Sequence, residues 1–81
     1  MAKTIVVDQI EVTSNGTIQI RMHKNSSDGD LLGYHRTAIE KNGDVDAQFA
    51  AVSSSMAAEN FSPVSAEDIA RVKAIATAAW A

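Results

Sequence analysis

The hydrophobic residues of this chain change their spacing at Asp44, and that change constrains the fold more than any other feature. Before Asp44, apolar residues tend to recur at every second position, which is the pattern of a strand with one face on a core. After it, they recur at spacings of four, three and four, as along one side of an α-helix. The residues of this helical stripe are Val45, Phe49, Val52 and Met56. A sheet region followed by a helical region predicts an α+β fold.

The first part of the chain predicts two antiparallel strands joined by a tight turn. Residues 3–13 are rich in β-branched side chains and alternate roughly, which predicts that Val6, Ile10 and Val12 face the core. Residues 17–23 alternate cleanly, with Ile18 and Ile20 on the apolar side. We expect these two apolar sides to form one buried face.

The register of this hairpin follows from the length of its turn. A two-residue Asn15-Gly16 loop would place Ile18 beside Thr13, whereas a three-residue loop pairs Ile18 with Val12. Only the longer loop keeps the apolar residues of both strands on the same face. We therefore predict the three-residue loop, with Gly16 in the left-handed conformation that closes such hairpins at little steric cost.

A third strand and two helices complete the predicted secondary structure. Residues 31–41 predict the strand, and Gly33 within it marks a bulge that would let the apolar positions change face. The first helix is expected over residues 45–59. The second begins after Ser65, a good N-cap, because acidic residues follow in its first turn.

The predicted architecture is a small three-stranded antiparallel sheet followed by a two-helix hairpin packed on it. Residues 1–81 are expected to form a single domain, because a chain of this length has room for one core. The chain has no Cys, which excludes disulfides and thiolate metal sites. A small domain without such cross-links commonly buries further surface by association, so we expect a homo-oligomer.

Charge and hydropathy narrow the range of partners. Seven basic and ten acidic residues give a formal charge of -3, which argues against a nucleic-acid partner. The apolar run near the N-terminus, at residues 5–7, is too short for a signal-peptide core or a membrane span. We therefore expect neither nucleic acid nor membrane as a partner.

No group of residues has the spacing of a catalytic, cofactor or metal site. His23 and His35 lie on neighbouring predicted strands and could meet as a metal pair, but a zinc or iron site usually needs three or four protein ligands. The acidic clusters at residues 28–30 and 44–46 lack the ligand pattern of a calcium loop. The serines at 53–55 have no accompanying motif that would supply a base. The sequence predicts a protein that is not an enzyme, with no cofactor and no metal.

The second helix carries the candidate interface. Trp80 continues the apolar stripe of this helix, although helix ends usually fray and are poor places for a large side chain. It can close the molecule's own core against the sheet, or it can anchor a neighbouring subunit, since Trp is enriched among interface anchors. Under the second alternative, the interface residues are Ile69, Val72, Ala76, Ala79 and Trp80.

The chain also resembles a known group of proteins over residues 34–80. The similarity rests on Tyr34 to Glu40, Asn42 to Gln48, Arg71 to Ile75 and the Ala79-Trp80 pair. On these short motifs it resembles a loose group of small, uncharacterised tailed-bacteriophage proteins. The resemblance implies no catalytic residue.

What the resemblance implies is a structural component of the virion, in the tail, baseplate or fibre region, assembled in the host cytoplasm. Such a component would act by self-association and by docking on a larger phage protein. The alternative is a small soluble phage factor that binds a host or phage protein as an inhibitor, regulator or assembly chaperone.

Overall fold

The computed structural model describes residues 3–81, and its architecture is the predicted α+β arrangement. Three antiparallel strands lie side by side in chain order and are followed by two helices. The elements are β1 (Thr4–Val12), β2 (Ile18–Asn25), β3 (Leu31–Ile39), α1 (Val45–Ala57) and α2 (Ala66–Ala79). Both helices contribute to one hydrophobic core with the inward side chains of the sheet. The opposite face of the sheet is not covered by any described element.

The β1–β2 hairpin has the predicted register. Thr13 N donates to Thr17 O at 2.8 Å, and Gly16 N donates to Thr13 O at 3.0 Å. These bonds enclose a three-residue loop, and Gly16 has a φ of 87°. Val12 therefore pairs with Ile18, as the alternation predicts.

The inward face of β1 differs from the prediction. Ile5 and Val7 are buried, whereas Val6 is 42% exposed and lies on the outer face. The register between β1 and β2 shifts between Val7 and Gln9, because Asp8 is an extra residue that forms a β-bulge. The bulge reverses the inward and outward positions, so assigning Val6 to the core was wrong.

Beyond the bulge, the predicted residues lie on the core side of the hairpin, although the extent of their burial varies. Ile18 and Ile20 are almost completely buried, and Ile10 packs against the core while remaining partly exposed. Val12, close to the turn, is 42% exposed.

The third strand contains the predicted irregularity. Lys24 of β2 pairs with Gly33, and the next pair is Asn25 with Leu31, so Leu32 is the extra residue. Gly33 has a φ of 155°, which few other residues adopt. After the bulge, Thr37 and Ile39 face the core side, and Ile39 is buried.

Both helices begin after an N-cap residue, and the cap of α2 is the predicted Ser65. The Asp44 side chain accepts from Ala47 N at 3.0 Å, and the Ser65 hydroxyl accepts from Asp68 N at 3.2 Å. Each bond satisfies one of the free amides in a helical first turn. Helix α1 presents the predicted stripe to the core, with Phe49 fully buried. No helix within residues 3–81 is long and apolar enough to cross a membrane.

Candidate functional site

The edge of β1 is covered by the chain that follows α1. Ser62 N donates to Lys3 O at 2.8 Å, and residues Lys3 and Phe61 form a short parallel bridge. Further along, the buried carboxylate of Asp68 accepts from Val7 N at 3.0 Å. One backbone group of β1, at Val7, and one immediately before it, at Lys3, are thus hydrogen-bonded within the molecule.

The edge of β3 is open, and the hydrogen-bond pattern identifies which of its groups are exposed. Thr13 is hydrogen-bonded to Thr17, and bonded pairs alternate along an antiparallel ladder. The backbone groups of Gln19 and Arg21 therefore point to β1. Those of the intervening residues Ile18, Ile20 and Met22 point to β3.

On β3, the backbone groups of Thr37 and His35 therefore point to β2. Those of the residues that alternate with them point away from the sheet, at its free edge. The outward residues after the bulge are Tyr34, Arg36 and Ala38. Within residues 3–81, no segment pairs with this edge. An open row of donors and acceptors is a template for another strand.

Large apolar side chains are exposed along this same strand. Leu31 is 52% exposed, Leu32 is 54% exposed and Tyr34 is 47% exposed. Exposed apolar side chains beside free backbone groups are the features that edge strands usually avoid. We call β3 together with its outward backbone groups the open edge.

The outer face of the sheet carries a charged and aromatic cluster at its centre. Arg21 Nε donates to Asp8 Oδ2 at 2.7 Å, and its guanidinium lies 4.7 Å from the centre of the Tyr34 ring. His23 Nε2 lies 3.2 Å from the same Asp8 oxygen and meets Tyr34 edge-on at 5.2 Å. The hydrogen bond from Arg21 holds the pKa of Asp8 below its ordinary value of 3.8.

A second arginine on this face has no carboxylate partner among residues 3–81. Arg36 of β3 lies directly opposite Arg21 of β2, and like charges in this position repel. Asp8 compensates Arg21 but makes no ion pair with Arg36. Arg36 is therefore a cation beside the open edge that no described residue pairs with.

A shallow depression of about 440 Å³ lies beside the two arginines on the outer face. It is lined by Gln9, Glu11, Gln19, Ile20, Arg21, Arg36, Thr37 and Ala38. The depression offers hydrogen-bond donors and acceptors at the centre of the uncovered face.

The two histidines do not meet. His23 pairs with Tyr34 on the outer face, whereas His35 pairs with the buried Met22 on the core side. Because they lie on opposite faces of the sheet, they cannot share a metal ion. The described part of the chain has no group of three or more acidic or His residues arranged to hold one.

The remaining polar motifs have local structural roles. Ser53 Oγ accepts from Val64 N at 3.1 Å, which fixes the chain between the helices. Asp44 caps α1, and Asp46 forms an exposed ion pair with Lys73 at 2.9 Å. Asp30 N donates to Ser26 Oγ at 3.1 Å within the turn between β2 and β3.

The predicted interface residues of α2 lie mostly against the molecule's own core. Val72 and Ala76 are buried, Ile69 and Trp80 pack beside them, and Ala79 is exposed. The indole Nε1 of Trp80 donates to Gly16 O at 2.6 Å. The intramolecular alternative for Trp80 is thus the one that this fold contains, and its part in self-association stays a prediction.

The open edge was not predicted from the sequence, nor was the role of Asp68. An acid in the first turn of a helix is already explained by capping and by the helix dipole, so Asp68 carries no further signal. The apolar pair Leu31-Leu32 next to a bulge glycine was a usable signal for an exposed edge.

Comparison with known proteins gave no match, whether by family model, by sequence against curated proteins or by fold against solved structures.

Proposed function

We propose that this protein is a non-enzymatic structural component that works by self-association and by docking on a larger protein. The observation that carries the proposal is that the two sheet edges differ in their hydrogen bonding. Ser62 and Asp68 bind backbone groups at the edge of β1 and so partly close it, while β3 leaves its outward backbone groups free. A sheet with one partly closed edge and one open edge is suited to add a strand at the open one.

The side chains around the open edge support the same role. Leu31 and Leu32 expose about half of their surface at the end of β3 that follows the turn. Arg36 adds a cation further along the same strand. Main-chain hydrogen bonds would supply affinity, and these side chains would select the partner.

The setting we propose is the particle of a tailed bacteriophage, in its tail, baseplate or fibre region. The resemblance over residues 34–80 supports this setting. The larger partner would then be another virion protein, and assembly would take place in the host cytoplasm.

The proposal is tested by quantitative mass spectrometry of particles purified from the phage that encodes the chain. We expect the protein in stoichiometric multiples of a known tail protein. A variant with Leu31→Lys and Leu32→Lys should fold but be lost from the particles, because charged side chains block strand addition. The matched control is Val12→Lys, which places the same charge on β1 and should be retained. Particles that lack the wild-type protein would refute the proposal.

The depression on the outer face favours a second candidate, a soluble phage factor that binds one host or phage protein. Its arginine and glutamine side chains suit a polar partner surface better than an apolar one. This candidate predicts that the chain is absent from particles and forms a complex of defined stoichiometry. Arg36→Ala should weaken that complex, while the lysine pair in β3 should leave it intact.

A further inference from the structure

The open edge is complementary to itself, and this property identifies a partner. We infer that β3 pairs antiparallel with β3 of a second copy, around a two-fold axis that passes beside His35. The inference rests on the proposed self-association and adds the surface, the partner and the register.

Hydrogen bonding restricts the possible registers. The outward groups after the bulge belong to Tyr34, Arg36 and Ala38, so each bonded pair joins two of these residues. An axis beside His35 pairs Tyr34 of each copy with Arg36 of the other. Because Leu32 is the extra residue of a bulge, the regular overlap covers residues 33–37 of each copy.

The side chains favour this register over its neighbours. Moving the axis to Arg36 would place two arginines opposite each other, in addition to the Arg21 that already faces each of them. Moving it to Tyr34 would shorten the overlap. With the axis at His35, Arg36 lies across from an exposed tyrosine. The chain already forms such a pair internally, between Arg21 and Tyr34 at 4.7 Å.

The partial closure of the β1 edge disfavours the addition of a third copy. Pairing through β3 produces a six-stranded sheet in the order β1-β2-β3-β3-β2-β1. Its two outer edges are then the β1 strands, which Ser62 and Asp68 partly close. The two-fold arrangement uses the same surface on both copies and leaves only the partly closed β1 edges at its ends.

Single cysteines test the register, since the wild-type chain has none. In His35→Cys, the two thiols lie across the axis in a non-bonded pair, where Cα atoms are about 4.5 Å apart and within reach of a disulfide. The matched control is Thr37→Cys, on the same strand and the same face. Its two Cα atoms are offset by four residues along the strand, about 13 Å. Mild oxidation should convert the His35→Cys monomer band to a covalent dimer and leave the Thr37→Cys band unchanged.

A second pair of variants tests the edge without cysteines, by light scattering coupled to size exclusion. Arg36→Pro removes an outward N–H that has no partner within residues 3–81, so the monomer should fold. Two interchain donors are lost per dimer, which should weaken dimerisation by on the order of 100-fold. The control is Val12→Pro, which removes an outward N–H from β1 and should leave the dimer intact.

Several outcomes would overturn this inference. One is a wild-type protein that stays monomeric at high concentration. Another is a dimer in which Thr37→Cys cross-links as readily as His35→Cys, or one that Arg36→Pro does not weaken. Dimerisation elsewhere on the surface would refute the β3 pairing but leave the proposed function standing, because particle composition tests that separately.

Discussion

The carboxylate of Asp68 accepts a hydrogen bond from the backbone N–H of Val7 at 3.0 Å, although the two residues lie 61 positions apart. Val7 is a non-bonded position of β1, so its N–H points away from β2 and would otherwise be unpaired. The first turn of α2 therefore binds the edge of the first strand. Arg71 pairs with the other oxygen of the same carboxylate. This contact is what makes the two edges of the sheet different.

Replacing Asp68 should destabilise the fold. Asp68→Ala leaves the buried N–H of Val7 without an acceptor, which typically costs about 1–3 kcal/mol. Asp68→Asn keeps an acceptor oxygen and should lose less. Urea unfolding of both variants measures the difference. Equal stability of the alanine variant and the wild type would show that Asp68 does not hold the edge.

A second consequence of Asp68→Ala concerns association. The variant exposes part of the β1 edge while β3 stays open, so strands can add on both sides of the sheet. We expect larger assemblies than the wild type forms, visible by light scattering at matched concentrations. Asp68→Asn is again the control and should keep the wild-type size.

Gly16→Val should be costly because Gly16 has a φ of 87°. Forcing a β-branched residue into this region costs on the order of 1–2 kcal/mol, and the added Cβ would also lie 3.0 Å from the flexible side chain of Lys41. Gly29→Val is the matched comparison, because Gly29 has a similar φ of 90° but an added Cβ there would have no atom within 4 Å. Gly16→Asn should be milder, since Asn tolerates positive φ. An unchanged melting temperature for Gly16→Val would argue against a strained turn.

The hairpin was predictable because one constraint acts on many residues at once. Only one loop length keeps Ile18 and Ile20 on the same face as the apolar residues of β1, so their pattern determines the register. The helical stripe through Phe49 and the cap at Ser65 were predictable for a similar reason, since both are local patterns.

The error at Val6 has a different origin. A β-bulge adds one residue, and the residues that accompany it here, Asp8 with Arg21 and His23, come together only in the folded sheet. The alternation of apolar and polar residues does not show at which residue the inward and outward positions exchange. Which edge of the sheet is bonded internally likewise depends on where α2 docks. The local sequence of α2 does not specify that docking position.

The ion pair of Asp8 predicts a dependence of stability on pH. Arg21 lowers the pKa of Asp8 in the folded state below the ordinary value of 3.8. The stabilisation from this ion pair is therefore fully present at pH values above 3.8, and it is lost as the pH falls through the lower pKa of the folded state. Asp8→Asn should therefore be less stable than the wild type at neutral pH, and the gap should narrow in strong acid. In an Arg21→Gln background the effect of Asp8→Asn should largely disappear. A gap that is independent of pH would point away from the ion pair.

A chelator should leave the melting temperature unchanged. A structural metal couples to folding through its ligands, so removing it would destabilise the protein. His23 and His35 lie on opposite faces of the sheet and do not form a pair for such an ion. Stoichiometric zinc or iron in the purified protein would contradict this prediction.

Trp80→Ala separates the two roles that the sequence left open for α2. In the fold, the indole packs against the core and donates to Gly16 O at 2.6 Å, so it joins the end of α2 to the hairpin turn. Truncating a fully buried aromatic side chain to Ala costs about 3–5 kcal/mol. Because the Trp80 ring is partly exposed, we expect Trp80→Ala to lose less than this. Trp80→Phe keeps an aromatic ring, although a smaller one, and removes the donor, so it should lose less stability than Trp80→Ala. If association runs through β3, both variants keep the wild-type oligomeric state in light scattering while their urea midpoints fall. Dissociation of Trp80→Ala with unchanged stability would instead make α2, through Ile69, Ala79 and Trp80, the association surface.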